Sequence, residues 1–524
     1  MYKKIIILII AILSYLLYAR FVLVIKPYDS FSLIDDGEKI QWGIQLRECL
    51  KNKNCNSLKE GLVKNESGRS RTTYILFEGI LFQPPLVTPQ FQHSFRIYLM
   101  GLLMIIPFVL ITLEYRAKMF PLLVGLAIFV TNYSFSENMI RLGTSEPYQV
   151  ILLAWFSLLY IKFNQVKNIY RNLYVILMVL LITIFFSFRE SSIAILPAIL
   201  LLEVLLSNNG NLKKMIIIFA LPTIVYVVQK RLLAGNYGMG AVYVSNYNIN
   251  LKYIFENSKN YILTLSVLAF PFLELSILVS VTFLIFKKTR KIILSKEILY
   301  WAFLTFCYAA IYFPWKYTLD RYLMISIFCL AVFVSLLLNK VIAFVSEAPL
   351  LRKYSFVFHG ILFLIISNIF FIGFPKNIVK TINYRDWFVV FTQFESEQVK
   401  AISKYANSKV YINLADKMDN WEVIQEIPMH LRFFYDGKPK TERLIEPLPS
   451  NGYIFSRNSL VNVINFGDSQ LLRYQLLESK NYSVSQIDLL AFEKLFKYRP
   501  LQALINPPLM KDSQSYYWEI RKLK

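Results

Sequence analysis

"MYKKIIILIIAILSYLLYARFVLVI", residues 1–25, sets two lysines before a long apolar run. About twenty such residues, at about 1.5 Å of rise each, match the roughly 30 Å apolar thickness of a bilayer. No small-x-small cleavage site follows, so the segment reads as a retained first membrane helix rather than a removed signal peptide. Directly after it, "FSLIDDGEKIQWG", residues 31–43, places Asp35 and Asp36 side by side. Gly37 and an apolar pattern containing Ile40, Trp42 and Ile44 then suggest a turn into a helix lying on the membrane surface. The two carboxylates serve either as a helix cap or as chemistry at the membrane face.

The remainder of the chain supports the membrane reading. Of 524 residues, 56% are hydrophobic and 17% charged, with a mean hydropathy of +0.45. That is the composition of a polytopic membrane protein, not of a soluble domain. The net charge of +23 lies in short Lys/Arg clusters between apolar runs, as the positive-inside rule expects, and no nucleic-acid motif accompanies it. Apolar segments at 5–25, 96–114, 119–135, 147–163, 172–188, 191–206, 214–229, 261–286, 297–313, 321–341 and 355–374 predict about eleven spans. "EYRAK", "KFNQVKNIYR", "NLKK", "FKKTRKIILSK" and "LLRKY" are assigned to the cytoplasm with the N-terminus. The 26–95 loop and everything after about residue 375 then fall outside.

Residues 1–375 are thus expected to form a transmembrane module with an outer loop at 26–95. Residues 376–524 form an extracytoplasmic α/β domain: "SKVYINLAD" and "NGYIFSRN" read as strands, "NWEVIQEIPMHLRFFY" and "SQIDLLAFEKLFKY" as amphipathic helices. Cys307 and Cys329 sit in apolar runs and read as core. Cys49 and Cys55 are poorly spaced for zinc but suit a local disulfide in an oxidising compartment. The 232–260 loop, rich in Gly, Tyr and Asn, reads either as a gate over a substrate or as an interfacial aromatic belt. His93, His359 and His430 are far apart and receive no role.

Polar residues collect at the outward corners. "SENMIRLGTSEPYQV" offers Glu137, Arg141 and Glu146, with Pro147 suited to the first turn of the next helix. "FFSFRESSIAILP" places Arg189 and Glu190 between two apolar runs, where an unpaired charge is costly; the two either pair with each other or face a ligand. "YFPWKYTLDRYLM" adds Lys316, Asp320, Arg321 and Tyr322. Carboxylates and cations converging on one membrane face suit transfer between a nucleophile and a lipid-anchored phosphate donor. A carboxylate would take the proton, and Arg and Lys would hold the leaving phosphate.

The acidic pair after the first helix, with a surface helix following, resembles the C-type (GT-C) glycosyltransferase superfamily. That group includes the protein O-mannosyltransferases and the aminoarabinose transferases of lipid A. "RLGTSEPYQVILLAWF" is similar to its second outer motif, at Arg141 and Glu146. "SFRESSIAILPAILL" is similar to its Lys-acid-apolar-Pro segment, with Arg189 in place of Lys. "LDRYLMISIF" resembles its Arg-Tyr motif, at Arg321 and Tyr322. The resemblance implies an inverting transfer of a hexose or pentose from a polyprenyl-phosphate donor to a glycan, lipid or protein acceptor. It assigns catalysis to Asp35, Asp36 and Glu146, with Asp35 favoured as base. Donor phosphate goes to Arg141, Arg189, Lys316, Arg321 and Tyr322, with Glu137 and Glu190 in support. Some members use a divalent cation, so Mg or Mn on Asp35 and Asp36 is a further expectation. Composition suggests a bacterial inner membrane. The alternatives are a glycan polymerase or ligase using lipid-diphosphate donors, and a non-enzymatic lipid or solute transporter.

Overall fold

The computed structural model describes residues 2–24, 31, 36–53, 55–56, 72–83, 86–165, 169–206, 209–234, 250–269, 272–285, 287–315, 319–347 and 355–405. In the C-terminal part it describes 408–413, 427–428, 430–431, 435, 440–443, 452–456, 474–484, 487–499, 502–503, 507–509 and 514–523. The chain divides into two compact units. The first comprises Met1–Val24, Lys59–Tyr74 and Ser94–Thr381, the second Ile25–Leu58, Ile75–His93 and Ile382–Lys524.

Helices dominate. The first unit contains α1 (Tyr2–Leu23) and most of α4 (Pro89–Glu114), followed by α5 (Met119–Val130), α6 (Tyr133–Ile140), α7 (Glu146–Gln165) and α8 (Ile169–Phe188). Then come α9 (Ile195–Leu205), α10 (Asn209–Ala234), α11 (Leu251–Ala269), α12 (Phe272–Ile285), α13 (Lys287–Ile293), α14 (Lys296–Ala310) and α15 (Asp320–Glu347). Helices α2 (Asp36–Asn52) and, for the most part, α3 (Thr72–Leu81) belong to the second unit.

Among the described residues, four helices are long and apolar enough to cross a membrane: α1, α4, Arg171–Phe188 of α8, and α15. The number rises to six if each of two bent pairs is counted as one span. Among the described residues the chain is thus mostly helical with four to six candidate membrane spans, where the sequence suggests about eleven. Part of the difference has a local cause. The expected 119–135 span breaks after Val130, where Asn132 caps α6 by accepting from the Ser134 amide at 3.0 Å, and α5 and α6 meet at 55°. The expected 191–206 span opens with a 3-10 turn, Glu190–Ala194, before α9 begins. Stripes of exposed apolar residues mark the surfaces, for example Ile6, Ile9, Leu13 and Leu17 on α1, and Leu173, Ile176, Leu180 and Ile184 on α8. Such stripes suit lipid contact.

The packing of the first unit relies on close backbone approach. A Cβ at Gly125 of α5 would lie 1.9 Å from Ser335 Oγ and 2.5 Å from the Ala331 carbonyl oxygen of α15. Small residues permit such contact between apolar helices. Phe129 packs edge-on against Phe328 at 5.1 Å and against Phe135 at 4.8 Å. Gly101 of α4 likewise leaves room for Tyr15, whose hydroxyl donates to the Ile97 carbonyl in a π-helical stretch, Phe95–Met100.

In the second unit a five-stranded mixed sheet has the order β2-β1-β3-β5-β4. The strands are β1 (Lys409–Asn413), β2 (Lys440–Arg443), β3 (Tyr453–Ser456), β4 (Tyr474–Val484) and β5 (Gln514–Leu523). The two strands expected from the sequence, β1 and β3, are parallel neighbours. One face of the sheet packs Val410, Ile412, Phe455, Trp518 and Ile520 with Phe394, Val399 and Ile402 of α16 (Ser355–Ser403). Helix α16 carries Pro375 in its interior and continues past it for 28 residues. The amphipathic pattern after residue 485 forms α17 (Leu489–Tyr498), capped by Asp488. Most of the expected helix at 420–435 lies outside the described residues, as do residues 235–249 of the Gly-rich loop.

Two outcomes follow. Gly125→Ala is expected to lower stability by about 1–3 kcal/mol through overpacking. A thermal melt of purified protein checks it, and adding Ser335→Ala should not restore the loss, because the Ala331 carbonyl stays in the way. Burial holds the His430 imidazole at about 3, below its usual 6.5. The unfolded chain then takes up a proton that the folded chain refuses, so stability falls as pH drops below 6.5 towards 3. The slope should be about 1.4 kcal/mol per pH unit. Urea midpoints of the full chain between pH 7.5 and 5 would report it, and His430→Leu should flatten the slope.

Candidate functional site

The corners of the first unit bring together residues that are far apart in sequence. Helix α7 begins at Glu146, and Pro147 occupies its first turn. Glu146 is 1% exposed. Arg189 lies in extended backbone between α8 and the Glu190–Ala194 turn, and it donates through Nη1 to Glu146 Oε1. The same nitrogen reaches Ser145 Oγ at 3.2 Å. Arg189 thus pairs with an acid 43 positions upstream, where the sequence also offered its neighbour Glu190. The Glu190 backbone opens the 3-10 turn.

Two guanidinium groups share one aromatic ring. Arg189 Cζ lies 4.9 Å from the Tyr322 ring centre, and Arg321 Cζ lies 5.5 Å from it. Tyr322 stacks on Tyr312 at 5.0 Å and meets Trp315 edge-on. An electron-rich ring face attracts both cations and reduces their mutual repulsion. Arg321 and Tyr322 sit in a 3-10 turn, Asp320–Leu323, at the start of α15. Asn138 of α6 anchors that turn by donating to the Arg321 carbonyl at 2.9 Å.

Glu137 of α6 lies within electrostatic range of Arg321, Arg141, Asp320 and Glu146. The cluster therefore contains Arg141, Arg189 and Arg321 opposite Glu137, Glu146 and Asp320. A layer of neutral polar groups backs it: Gln149 Nε2 donates to Ser191 Oγ at 2.9 Å and Ser192 Oγ at 2.8 Å. Six of the site residues named from the sequence meet here, namely Glu137, Arg141, Glu146, Arg189, Arg321 and Tyr322.

Asp35 and Lys316 lie outside the described residues. Asp36 is the first residue of α2, in the second unit. That helix is tied near both ends. Lys39, one turn after Asp36, forms a buried ion pair with Glu78 of α3 at 3.5 Å. At the other end Cys49 and Cys55 are joined in a disulfide. Among the described residues no three His, Cys, Asp or Glu side chains gather as a metal site.

Chemically, the cluster can hold an anion. Arg189 and Arg321 present planar guanidinium forks, whose geometry matches phosphate oxygens. Glu146, buried and paired with Arg189, is suited to orienting that cation. Sequence reasoning overlooked Asn138, Gln149 and Arg96. Arg96 had a usable signal, being a lone guanidinium in the apolar stretch "FRIYLMG". No protein-family model and no curated protein matches the chain.

Removing one partner of the Glu146–Arg189 pair should cost about 3–5 kcal/mol, because the other charge stays buried. Glu146→Gln is expected to lower the melting temperature of purified protein sharply. The double variant Glu146→Gln with Arg189→Gln should recover much of the loss.

Proposed function

We propose that the protein is an integral membrane glycosyltransferase that moves a sugar from a polyprenyl-phosphate donor to a glycan, lipid or protein acceptor at the outer face of a bacterial inner membrane. The observation that carries this reading is the Arg189–Tyr322–Arg321 arrangement, two guanidinium groups over one ring with Glu146 behind. It offers a lipid-linked phosphate the charge and donor geometry that stabilise it as a leaving group. Asp35 or Asp36 supplies the base that deprotonates the acceptor. The GT-C resemblance of the same segments supports the assignment of roles.

The membrane placement has its own support. Polar groups recur at the far ends of the helices that carry the site, as Lys162–Glu114, Lys296–Glu203 and Lys340–Glu297 pairs at 2.7–2.8 Å. Glu146 and Lys162 on α7 are separated by about 24 Å of helix, and Arg321 and Lys340 on α15 by about 28 Å. Both spacings approach the apolar thickness of a bilayer. On this basis less apolar helices such as α7 and α14 also span, giving about eleven crossings and an extracytoplasmic C-terminal domain. The Cys49–Cys55 disulfide supports an oxidising location for the 26–95 loop.

A transporter is the second reading, favoured by the bent α5–α6 pair, since interrupted helices often line transport sites. One experiment separates the two. Wild-type membranes and the variants Asp35→Asn, Asp36→Asn and Arg189→Gln, all checked for expression, receive labelled polyprenyl-phosphate sugars, and loss of label from the lipid is followed. Transfer that falls about 10²–10⁴-fold in one Asp variant identifies the base and supports the transferase. Wild-type protein that moves the lipid across vesicles without consuming it overturns that reading in favour of transport.

A further inference from the structure

Arg96 is 2% exposed and lies in the π-helical stretch of α4. Its Nε donates to the Asn138 carbonyl at 2.9 Å and its Nη1 to the Leu142 carbonyl at 2.7 Å. Nη2 donates to both the carbonyl and the hydroxyl of Thr144. The guanidinium also lies 5.8 Å from the Tyr148 ring. Every one of these partners belongs to α6, α7 or the turn between them, and none is a carboxylate.

A buried guanidinium is costly to place in an apolar setting, and here backbone carbonyls, a hydroxyl and a ring surround it. The four acceptors have one thing in common: they lie within residues 141–145 or just before them. That turn carries Arg141, ends at Ser145 beside Arg189, and leads straight into Glu146. The Arg141 amide donates to the Glu137 carbonyl at 2.9 Å, and Thr144 Oγ1 reaches the Asn138 and Arg141 carbonyls at 3.2 and 3.3 Å.

We propose that Arg96 is a positioning residue that fixes the 141–145 turn and thereby the placement of Arg141 and Glu146 in the anion site. The π-helical stretch aims its planar fork across three carbonyls, a geometry that an ammonium group cannot reproduce. The effect on ligand binding rests on the donor-phosphate reading given above; the effect on the turn does not.

The test uses the full chain in lipid nanodiscs, as wild type, Arg96→Lys, Arg96→Met and the milder Thr144→Val. Hydrogen exchange is followed over 138–146 and over α15, and binding of undecaprenyl phosphate is measured alongside. The proposal expects faster exchange confined to 138–146, and an affinity for undecaprenyl phosphate lowered by about ten- to a hundredfold. Lys should not rescue either effect, and Thr144→Val should be intermediate. Unchanged exchange of the turn in Arg96→Lys and Thr144→Val would overturn it. Loosening of α15 to the same degree in both of those variants would reduce Arg96 to a general packing residue and overturn it too. Local loosening with full affinity in a wild type that binds would show that the turn does not place the site. Failure of wild type to bind undecaprenyl phosphate would count against the transferase alone, and the exchange data would still decide the role of Arg96.

Discussion

A charge placed among apolar helices must find an opposite charge or a dense set of donors and acceptors, and the first unit is organised by that requirement. Glu146 and Arg189 come from corners that lie 43 positions apart in the sequence, and neither is tolerable in this environment without the other. Their pairing ties the start of α7 to the end of α8. From there the constraint spreads: Arg189 lies over Tyr322, Tyr322 stacks on Tyr312, and Asn138 fastens the Arg321 turn to α6. Four stretches of chain are drawn to one place because each holds a polar group that the others complete.

The second unit meets a related demand at α2. Its first turn is tied by the buried Lys39–Glu78 pair, and its last residues by the Cys49–Cys55 disulfide. Gly43 permits the middle of the helix to approach the backbone at Phe82, whose carbonyl oxygen would be only 2.6 Å from an added Cβ. Gln83 reinforces that approach by donating to the Gly43 carbonyl at 2.5 Å. The helix that begins with Asp36 is therefore held at both ends and in the middle.

Much of this was legible residue by residue, and little of it pair by pair. An Arg or Glu inside an apolar run announces itself, so Arg141, Glu146, Arg189 and Arg321 all stood out in the sequence. Which acid meets which cation depends on tertiary folding: Arg189 has Glu190 beside it yet pairs with Glu146. The membrane class followed from composition, whereas the breaks did not. Asn132 reads as an ordinary polar residue until its cap on α6 is seen, and α16 runs through Pro375 and on past the boundary at about residue 375 that the sequence suggests. In the sheet, β1 and β3 were visible as apolar runs. The antiparallel pair β4–β5 carries "ESKNYS" and "SYYWEIRK", whose polar content hid the ladder.

The ring of Tyr322 has a consequence for how this sequence can vary. Two cations lean on its face and a second ring lies against it, so what the position contributes is a flat, electron-rich surface. Drift among Tyr, Phe and Trp preserves that surface, while Leu or Ile removes the ring face on which both guanidinium groups rest. Descendants of this chain should therefore trade aromatic residues at 322 freely and accept an aliphatic one only where Arg189 or Arg321 has also been lost.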